Sequence, residues 1–415
     1  MAKKTRIRAS GEGTIYENKA RGRWEGQYSY IDPTTGKSKR KLLTGKTQSE
    51  VAVKGKSFLR NIEDGLLPDA DKVSVWTWLD RWLTDYVKPN VRIKTYEKYE
   101  SSLRCYVRPM IGHIIITKIK APDIQRLLNN MGDSAGRKKQ GLSSFTVRMT
   151  RRYLSMAFDK AIDVGLISRN MVKATSPPRL LKEEIRPLSE EQAELLIKTA
   201  KSGEYIYYGC KQQQKPDLST EYLKPMAYMV VLLTLNTGMR LGEVFGLKWV
   251  DIDFEGNSVR VNRAVVTSSH GVHFEEPKTK GSRRTIRLPS KIMQAFEYYQ
   301  KEQEKYAELL GDKFDNDKDL VFPNAAGKPM NTVNFTNRYF KRMIGQSGID
   351  KAFSFHDLRH THATLLLKKG VNIKVISERL GHSSIQLTLD TYSHVMPDMQ
   401  ETAVIALDTL NIDFS

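Results

Sequence analysis

Residues 235–243 read Leu235-Asn236-Thr237-Gly238-Met239-Arg240-Leu241-Gly242-Glu243, and they close the longest apolar run of the chain. An apolar helix that stops at a glycine is typical of a helix C-cap, so we expect Arg240 at the start of the next helix. An arginine held there is well placed to bind an anion. The run before it, about a dozen apolar residues, is too short to span a membrane and predicts a buried helix.

Two segments further along the chain carry basic and imidazole side chains. Residues 277–284 form a basic loop between predicted strands, Pro277-Lys278-Thr279-Lys280-Gly281-Ser282-Arg283-Arg284. Residues 354–360 read Ser354-Phe355-His356-Asp357-Leu358-Arg359-His360, and the serine and aspartate are expected to cap a helix. Because His356 and Arg359 are three residues apart, they should share one face of that helix.

A fourth segment lies near the C-terminus. Leu380-Gly381-His382 is followed by a short predicted helix that ends Leu389-Asp390-Thr391-Tyr392. Each segment alone has an ordinary explanation, since surface arginines are common and a helical histidine usually caps or packs. Together the four segments concentrate arginine, lysine, histidine and tyrosine in settings that look built to position them.

This combination suits phosphoryl transfer without a metal. Two guanidinium groups can bind the non-bridging oxygens of a phosphate, a hydroxyl can attack in line, and a proton donor can serve the leaving oxygen. The sequence offers no carboxylate cluster that would indicate a catalytic metal. We therefore expect an enzyme that transfers phosphoryl groups and needs no metal or other cofactor.

The four segments, in this order and at about these separations, resemble the signature of the tyrosine recombinases, the phage integrase family. The motifs 237–243, His356-x-x-Arg359-His360, 380–382 and Tyr392 carry the resemblance, which covers the whole C-terminal domain. The domain plan also resembles the integrases of conjugative transposons and of phage lambda. The resemblance implies a site-specific recombinase that integrates and excises a mobile element through a 3′-phosphotyrosyl intermediate. The implied reaction acts on a DNA phosphodiester and needs neither ATP nor a metal.

The resemblance also implies a role for each matching position. Arg240 and Arg359 would bind the scissile phosphate and stabilise its developing charge. His382 would donate a hydrogen bond to a phosphate oxygen. Lys278 would be the general acid for the departing 5′ oxygen, and His356 a general acid or base.

Tyr392 would be the nucleophile. Since a free tyrosine has a pKa near 10, its proton must leave as it attacks, and His356 is the predicted base. Two assignments stay open. Lys280 competes with Lys278 for the general-acid role, and Glu243 either supports the site from behind or is a plain surface carboxylate.

The composition indicates a polyanionic partner. The formal net charge is +20, although 40% of the residues are hydrophobic as in an ordinary globular protein. Nucleic acid is the first interpretation and an anionic membrane the second. Cys105 and Cys210 stand alone, so neither a disulfide framework nor a zinc cluster is expected, and a reducing cytoplasm fits best.

The first 65 residues predict a small sheet domain. Aromatic and polar residues alternate in Thr14–Glu17 and Trp24–Tyr30, a third strand covers Lys39–Leu43, and a helix follows from about Thr47. Basic side chains outnumber acidic ones by about two to one. We expect this sheet to meet DNA; a solvated basic tail is the alternative.

The middle of the chain predicts a helical domain. A linker at Leu66–Asp71 leads into it, and consecutive prolines at 177 and 178 end it. Trp78 and Trp82 have the spacing of one helix face, which favours core packing over base stacking. Helices near Lys94–Tyr99 and Thr146–Val164 each have a basic side, which indicates phosphate contact or a solvated face.

The last domain begins with a capping box at Ser189–Gln192 and is mainly helical. One strand-rich insert runs from about Asp251 to Leu288 and includes a strand at Val259–Val265.

The predicted fold class is multidomain α+β. It comprises a small N-terminal three-stranded sheet plus helix, an all-helical core-binding domain, and a mainly helical catalytic domain with a small antiparallel sheet. The predicted boundaries are 1–65 for the arm-site DNA-binding domain, 70–176 for the core-binding domain, 185–398 for the catalytic domain and 399–415 for a tail that contacts other protomers. The DNA-contact candidates outside the catalytic set are Arg23, Lys39, Arg40, Lys41, Lys94, Arg148, Arg151, Arg152 and Lys280.

The expected partners are double-stranded DNA at recombination sites, three further copies of this chain in a homo-tetramer, and an excisionase or DNA-bending protein. Two other functions are compatible with parts of the sequence. A type IB topoisomerase shares the chemistry but has no need of a second sequence-specific grip on DNA. A catalytically inactive, integrase-like DNA-binding regulator predicts missing active-site residues, whereas every expected residue is present.

Overall fold

The structure is a computed structural model that describes residues 13–31, 37–63, 70–133, 141–180, 185–207, 218–276 and 283–393, together with Val404 and Leu407. The chain divides into two compact units, Met1–Lys182 and Glu183–Ser415. Among the described residues, no helix combines the length and the apolar character needed to cross a membrane.

The first unit opens with a three-stranded antiparallel sheet and one helix, which confirms the fold predicted for this segment. Tyr28 of the central strand points inward, packs with Val51 and Phe58, and donates its hydroxyl to the carbonyl oxygen of Val51 at 3.1 Å. This alternation of inward and outward side chains follows from the period of a strand. The elements are β1 (Thr14–Asn18), β2 (Arg23–Ile31), β3 (Ser38–Gly45) and α1 (Gln48–Glu63), in the sheet order β1-β2-β3.

The rest of the first unit is helical. Trp78 and Trp82 are only 2% and 4% exposed, and the indole nitrogen of Trp78 donates to the carbonyl oxygen of Ala157 at 2.8 Å. Both tryptophans are therefore core residues, as their spacing predicted. The helices are α2 (Val75–Arg81), α3 (Ile93–Ser102), α4 (Arg108–Ile111), α5 (Ala121–Asp133) and α6 (Ser144–Asp163), and π turns at Trp82–Val87 and Leu103–Val107 continue α2 and α3.

The second unit is mainly helical. Its helices are α7 (Glu190–Ser202), α8 (Leu218–Thr237), α9 (Leu241–Phe245), α10 (Ser290–Leu310), α11 (Thr332–Phe335), α12 (Lys341–Ser347), α13 (Asp357–Lys368), α14 (Ile373–Leu380) and α15 (Ile385–Tyr392). The predicted capping box is present at the start of α7, where Ser189 Oγ accepts from the backbone N–H of Gln192 at 3.2 Å and the Gln192 side chain accepts from the backbone N–H of Ser189 at 3.0 Å. Helix α8 is buried along most of its length, as its apolar run predicted.

Two small antiparallel sheets complete the second unit. The strands are β4 (Ile252–Asp253), β5 (Ser258–Val261), β6 (Ala264–Ser268), β7 (Gly271–Glu275) and β8 (Arg284–Arg287). One sheet has the order β4-β5-β8, and β6 pairs with β7 in the other.

The continuous strand predicted at Val259–Val265 is wrong in one respect, because the chain breaks between β5 and β6. Asn262 and Arg263 both turn toward the buried carboxylate of Asp251. Asn262 Nδ2 donates to Asp251 Oδ1 at 2.8 Å, and Arg263 bonds the other carboxylate oxygen. The break lets β5 pair with β8, which brings Arg284 to the start of a strand in the catalytic unit.

Candidate active site

The turn between α8 and α9 positions Arg240. Gly238 has φ of +66°, a backbone conformation that favours glycine. A Cβ atom at this position would lie 2.5 Å from Cδ2 of Leu380 and 2.8 Å from Cδ2 of His362. Glycine therefore lets the end of α8 pack closely on α13 and α14, and Arg240 follows immediately before α9.

A buried carboxylate fixes the Arg240 side chain. Glu243 is 7% exposed, and its Oε1 accepts from Arg240 Nη1 at 2.8 Å. Its Oε2 accepts from the backbone N–H of Arg240 at 3.0 Å and from Arg284 Nη2 at 2.8 Å. Burial alone would raise the pKa of Glu243, but the two guanidinium groups outweigh it and hold that pKa below its ordinary value. The carboxylate is therefore ionised and buried. Of the two alternatives left open by the sequence, Glu243 is the support behind Arg240 and not a surface carboxylate.

Arg359 lies almost completely inside the unit, at 2% exposure. Its Nη1 donates to the carbonyl oxygen of Gly238 at 2.7 Å, whereas its buried Nη2 has no hydrogen-bond partner among the described residues. Burial, followed by the positive charge of Arg240, lowers the pKa of Arg359 to about 9. An unpaired buried donor is costly, and an anion bound beside Arg240 would satisfy it.

Tyr392 stands at the end of α15 with its ring fully buried, and its hydroxyl lies 2.7 Å from Nδ1 of His360. Burial raises the pKa of Tyr392 to about 12, against a lowering effect of Arg359. Burial, followed by the charge of His356, lowers the pKa of His360 to about 4. At neutral pH the histidine is therefore neutral, and its ring nitrogen can accept the tyrosine proton.

This contact differs from the predicted one, which gave the tyrosine proton to His356. The His356 ring is exposed and lies 4.9 Å from the His360 ring, edge to face. His356 immediately precedes α13 and His360 lies four residues later in its first turn, a spacing that places them on one face. The spacing was visible in the sequence, but only the packing of α13 against α15 shows which ring meets the hydroxyl.

His382 completes the cluster. Its Nδ1 lies 2.8 Å from the hydroxyl oxygen of Thr388. Burial, followed by the charges of Arg359 and Arg240, lowers the pKa of His382 to about 4. The structure thus brings together five of the six predicted catalytic side chains: Arg240, His356, Arg359, His382 and Tyr392.

The predicted general acid and its competitor, Lys278 and Lys280, lie outside the described residues, within 277–282. Both assignments stay predictions. Strands β7 and β8 flank this loop, and β8 begins with Arg284, whose side chain contacts Glu243.

The helical candidates for DNA contact divide into two groups. Lys94 and Arg152 are exposed. Arg148 Nη1 donates to the carbonyl oxygen of Pro178 at 2.8 Å. Arg151 donates to the carbonyl oxygens of Val172 and Thr175 at 3.1 and 2.9 Å and to the hydroxyl of Thr175 at 3.0 Å. Arg151 therefore has a structural role through Nε and Nη2, and its DNA contact stays a prediction.

The candidates in the N-terminal sheet also divide, because side chains alternate along a strand. Arg40 pairs opposite Ser29 and points, like Arg23, to the face away from α1. Lys41 pairs opposite the inward-facing Tyr28, and its ammonium lies 5.7 Å from the centre of the Phe58 ring of α1. Lys39 shares that side of the strand.

The buried His362, next to the site, should make the chain sensitive to acid. It is 4% exposed, its Nδ1 lies 2.8 Å from the carbonyl oxygen of Leu235, and burial lowers its pKa to about 4. Because this pKa is below that of the unfolded chain, the unfolded chain binds the extra proton as the pH falls from about 6.5 toward 4. The free energy of unfolding should fall in that window, by about 1.4 kcal/mol per pH unit for this group.

Urea unfolding of the full chain at pH 7, 6 and 5 measures this effect. The variant His362→Gln should show a shallower loss of stability between pH 6 and pH 5 than the parent chain. Equal slopes for the two proteins would contradict the assignment.

Comparison with known proteins shows which family the chain belongs to. The profile of the "Phage integrase family" matches residues 186–399, and that of "Phage integrase, N-terminal SAM-like domain" matches residues 75–132. A "Tyrosine recombinase XerC-like" protein of Caldanaerobacter subterraneus subsp. tengcongensis is 31% identical over 430 residues, which cover 99% of this chain and 100% of the relative. The ICEBs1 integrase of Bacillus subtilis is 23% identical, and the match covers 92% of this chain and 95% of the relative.

Solved structures share the fold. The Tn1549 transposon integrase in complex with transposon right end DNA superposes with a TM-score of 0.62 at 22% identity, over 82% of this chain and 100% of that one. The lambda integrase in a tetramer bound to a Holliday junction gives a TM-score of 0.53 at 22% identity, over 89% and 95%. With a family profile across the catalytic unit and a relative matched from end to end, the chain belongs to the phage integrase family of tyrosine recombinases.

Proposed function

We propose that this protein is a site-specific DNA recombinase that integrates and excises a mobile genetic element. The observation that carries the proposal is the Tyr392 hydroxyl, which lies 2.7 Å from a histidine nitrogen and within the electrostatic influence of Arg359, a buried arginine whose Nη2 is unpaired among the described residues. The tyrosine oxygen forms a bond to phosphorus, the bond from phosphorus to the 5′ oxygen breaks, and a 5′ hydroxyl leaves. The 5′ hydroxyl of a partner strand then reverses the step and frees the tyrosine.

Two arginines hold the phosphate in this scheme. Arg359 offers its unpaired Nη2, and Arg240, with a side chain 43% exposed, reaches the phosphate from the opening of the site. Both charges stabilise the transition state as negative charge grows on the non-bridging oxygens. His382 donates a hydrogen bond to one of those oxygens. Lys278, or Lys280 in its place, delivers the proton to the departing 5′ oxygen.

The tyrosine proton passes to His360. With a pKa of about 12 for Tyr392 and about 4 for His360, the proton stays on the tyrosine in the free protein. It leaves only as the bond to phosphorus forms, because a bound phosphate adds negative charge that favours the protonated histidine. Its direct contact with the hydroxyl favours His360 over His356 as the acceptor.

Replacing His360 with asparagine should therefore slow adduct formation by about 100-fold, the usual range for loss of a general base. The variant rate should also rise more steeply with pH between 7 and 9, since hydroxide must then take the proton. Single-turnover measurements on a nicked duplex provide both quantities, with His356→Asn as the matched variant. A wild-type rate in His360→Asn, or a larger loss in His356→Asn, would return the role to His356.

The function itself is tested with a nicked duplex that carries the terminal sequence of the element. The nick lets the short cleaved strand diffuse away, so a recombinase accumulates as a covalent protein–DNA adduct on a denaturing gel. Two such sites on one plasmid should then be joined or excised. Relaxation of supercoils without exchange would support a type IB topoisomerase, and binding without an adduct would support a regulator.

The other domains and partners follow from the proposed reaction. The N-terminal sheet, residues 1–65, binds an arm site, the helical domain, 70–176, binds the core site together with the catalytic domain, 185–398, and four protomers act on two DNA sites. The cytoplasm stays the proposed location, because two isolated cysteines in a chain of this length fit a reducing compartment. An excisionase or DNA-bending protein stays a predicted partner. The tail at 399–415 also stays a prediction, in which only Val404 and Leu407 are described, both exposed.

A further inference from the structure

Arg284 is a buried cation that the reaction scheme does not use. It begins strand β8, where it pairs opposite Val261, and its side chain is only 6% exposed. Burying a guanidinium is costly unless its donors are satisfied. Two elements distant in sequence satisfy it: Nη2 donates to Glu243 Oε2 at 2.8 Å, and Nε donates to the carbonyl oxygen of Arg379 at 2.6 Å.

The first contact reaches Arg240 through Glu243. One carboxylate oxygen binds the Arg240 guanidinium, and the other binds both the Arg240 backbone and Arg284. The Glu243 carboxylate therefore forms ion pairs with two guanidinium groups, and that of Arg284 is the more deeply buried. Without Arg284, the carboxylate would lose the partner that fixes its plane, and Arg240 would lose its fixed direction.

The second contact reaches the turn before His382. Arg284 binds the end of α14 at Arg379, and a Cβ on Gly381 would lie 3.0 Å from Nη1 of Arg284. Gly381 has φ of +66° and precedes His382 directly. The guanidinium thus packs against the backbone that determines the position of His382.

We propose that Arg284 is a positioning residue that holds Arg240, through Glu243, and the Gly381–His382 turn in place for the phosphate. The inference rests on the proposed function, since it assumes that Arg240 and His382 bind the scissile phosphate. Arg284 acts from behind both groups and does not touch the DNA.

The test measures single-turnover adduct formation on the nicked duplex at saturating protein, together with DNA affinity and thermal unfolding of the full chain. Arg284→Gln should lower the rate by about 10- to 100-fold, with affinity and the fraction of folded protein close to those of the parent. Arg284→Lys, which keeps the charge but loses the fork, should recover part of the rate. Arg287→Gln is the matched control, because that side chain is exposed on the same strand.

A double-mutant cycle separates positioning from a general loss of stability. In the Glu243→Gln background, Arg284→Gln should cost less than it does in the parent chain, because the part that acts through Glu243 is already lost and only the part through the Gly381–His382 turn remains. Multiplied losses, or a parent rate in Arg284→Gln, would overturn the proposal. If Arg284→Gln does not fold, the cycle is run with Arg284→Lys. Absence of an adduct in the parent chain would refute the proposed function instead.

Discussion

Tyr392→Phe should abolish the covalent protein–DNA adduct and leave DNA binding intact. The substitution removes one oxygen atom, the proposed nucleophile, and keeps the ring that fills the cluster of Ala363, Leu367, Ile376 and Leu380. Only the hydrogen bond to His360 is lost from the fold, at a cost of about 1 kcal/mol. The measurement is a denaturing gel of the nicked-duplex reaction, paired with a gel-shift assay for binding.

Tyr298→Phe is the control for this experiment, since Tyr298 is 63% exposed on α10. That variant should form the adduct at the parent rate. An adduct that persists in Tyr392→Phe would mean that another hydroxyl attacks the phosphate. The assignment of the active site around α15 would then be wrong.

Arg359→Gln should lower the rate of adduct formation by several hundred-fold or more, since it removes a buried charge aimed at the phosphate. The loss should appear in the single-turnover rate at saturating protein, because Arg359 is 2% exposed and binds only what enters the site. Arg359→Lys keeps the charge and loses the fork that reaches both Gly238 and the phosphate, so it should restore little.

Loss of folding is the competing explanation for Arg359→Gln, because Nη1 also ties α13 to the end of α8 through Gly238. Thermal unfolding of each variant separates loss of folding from loss of the phosphate contact, since only the first lowers the unfolding temperature. The exposed Arg338→Gln on the same unit provides the reference. A rate within about threefold of the parent in folded Arg359→Gln would remove this residue from the proposed transition-state contacts.

The sequence predicted those parts of the molecule that depend on local pattern. The glycine at 238, the histidine and arginine at the start of α13, and the short helix ending at Tyr392 are each encoded within a few neighbouring residues. The apolar run of α8 and the strand alternation of the N-terminal sheet are local in the same sense. The structure places these features as expected.

What could not be predicted depends on residues far apart in the chain. His360 and His356 have the same helical pattern, and only the packing of α15 selects His360. In the sequence Arg284 is one more cation of a basic loop. Only the structure shows that its side chain donates hydrogen bonds to the Glu243 carboxylate and the Arg379 carbonyl oxygen. The three hydrogen bonds from Arg151 to Val172 and Thr175 likewise join residues more than twenty positions apart, and the sequence pattern did not predict them.

The complete burial of Tyr392 has a consequence for when the enzyme can act. A phosphodiester cannot reach an oxygen on a side chain with no exposed surface, so some of the atoms that cover Tyr392 must move before its hydroxyl meets a DNA strand. Because the hydroxyl at the end of helix α15, Ile385–Tyr392, lies 2.7 Å from Nδ1 of His360, this opening must keep the two atoms in contact for the proposed proton transfer. We therefore expect the rate of cutting to depend on how often this part of the site opens, in addition to the chemistry at the phosphate.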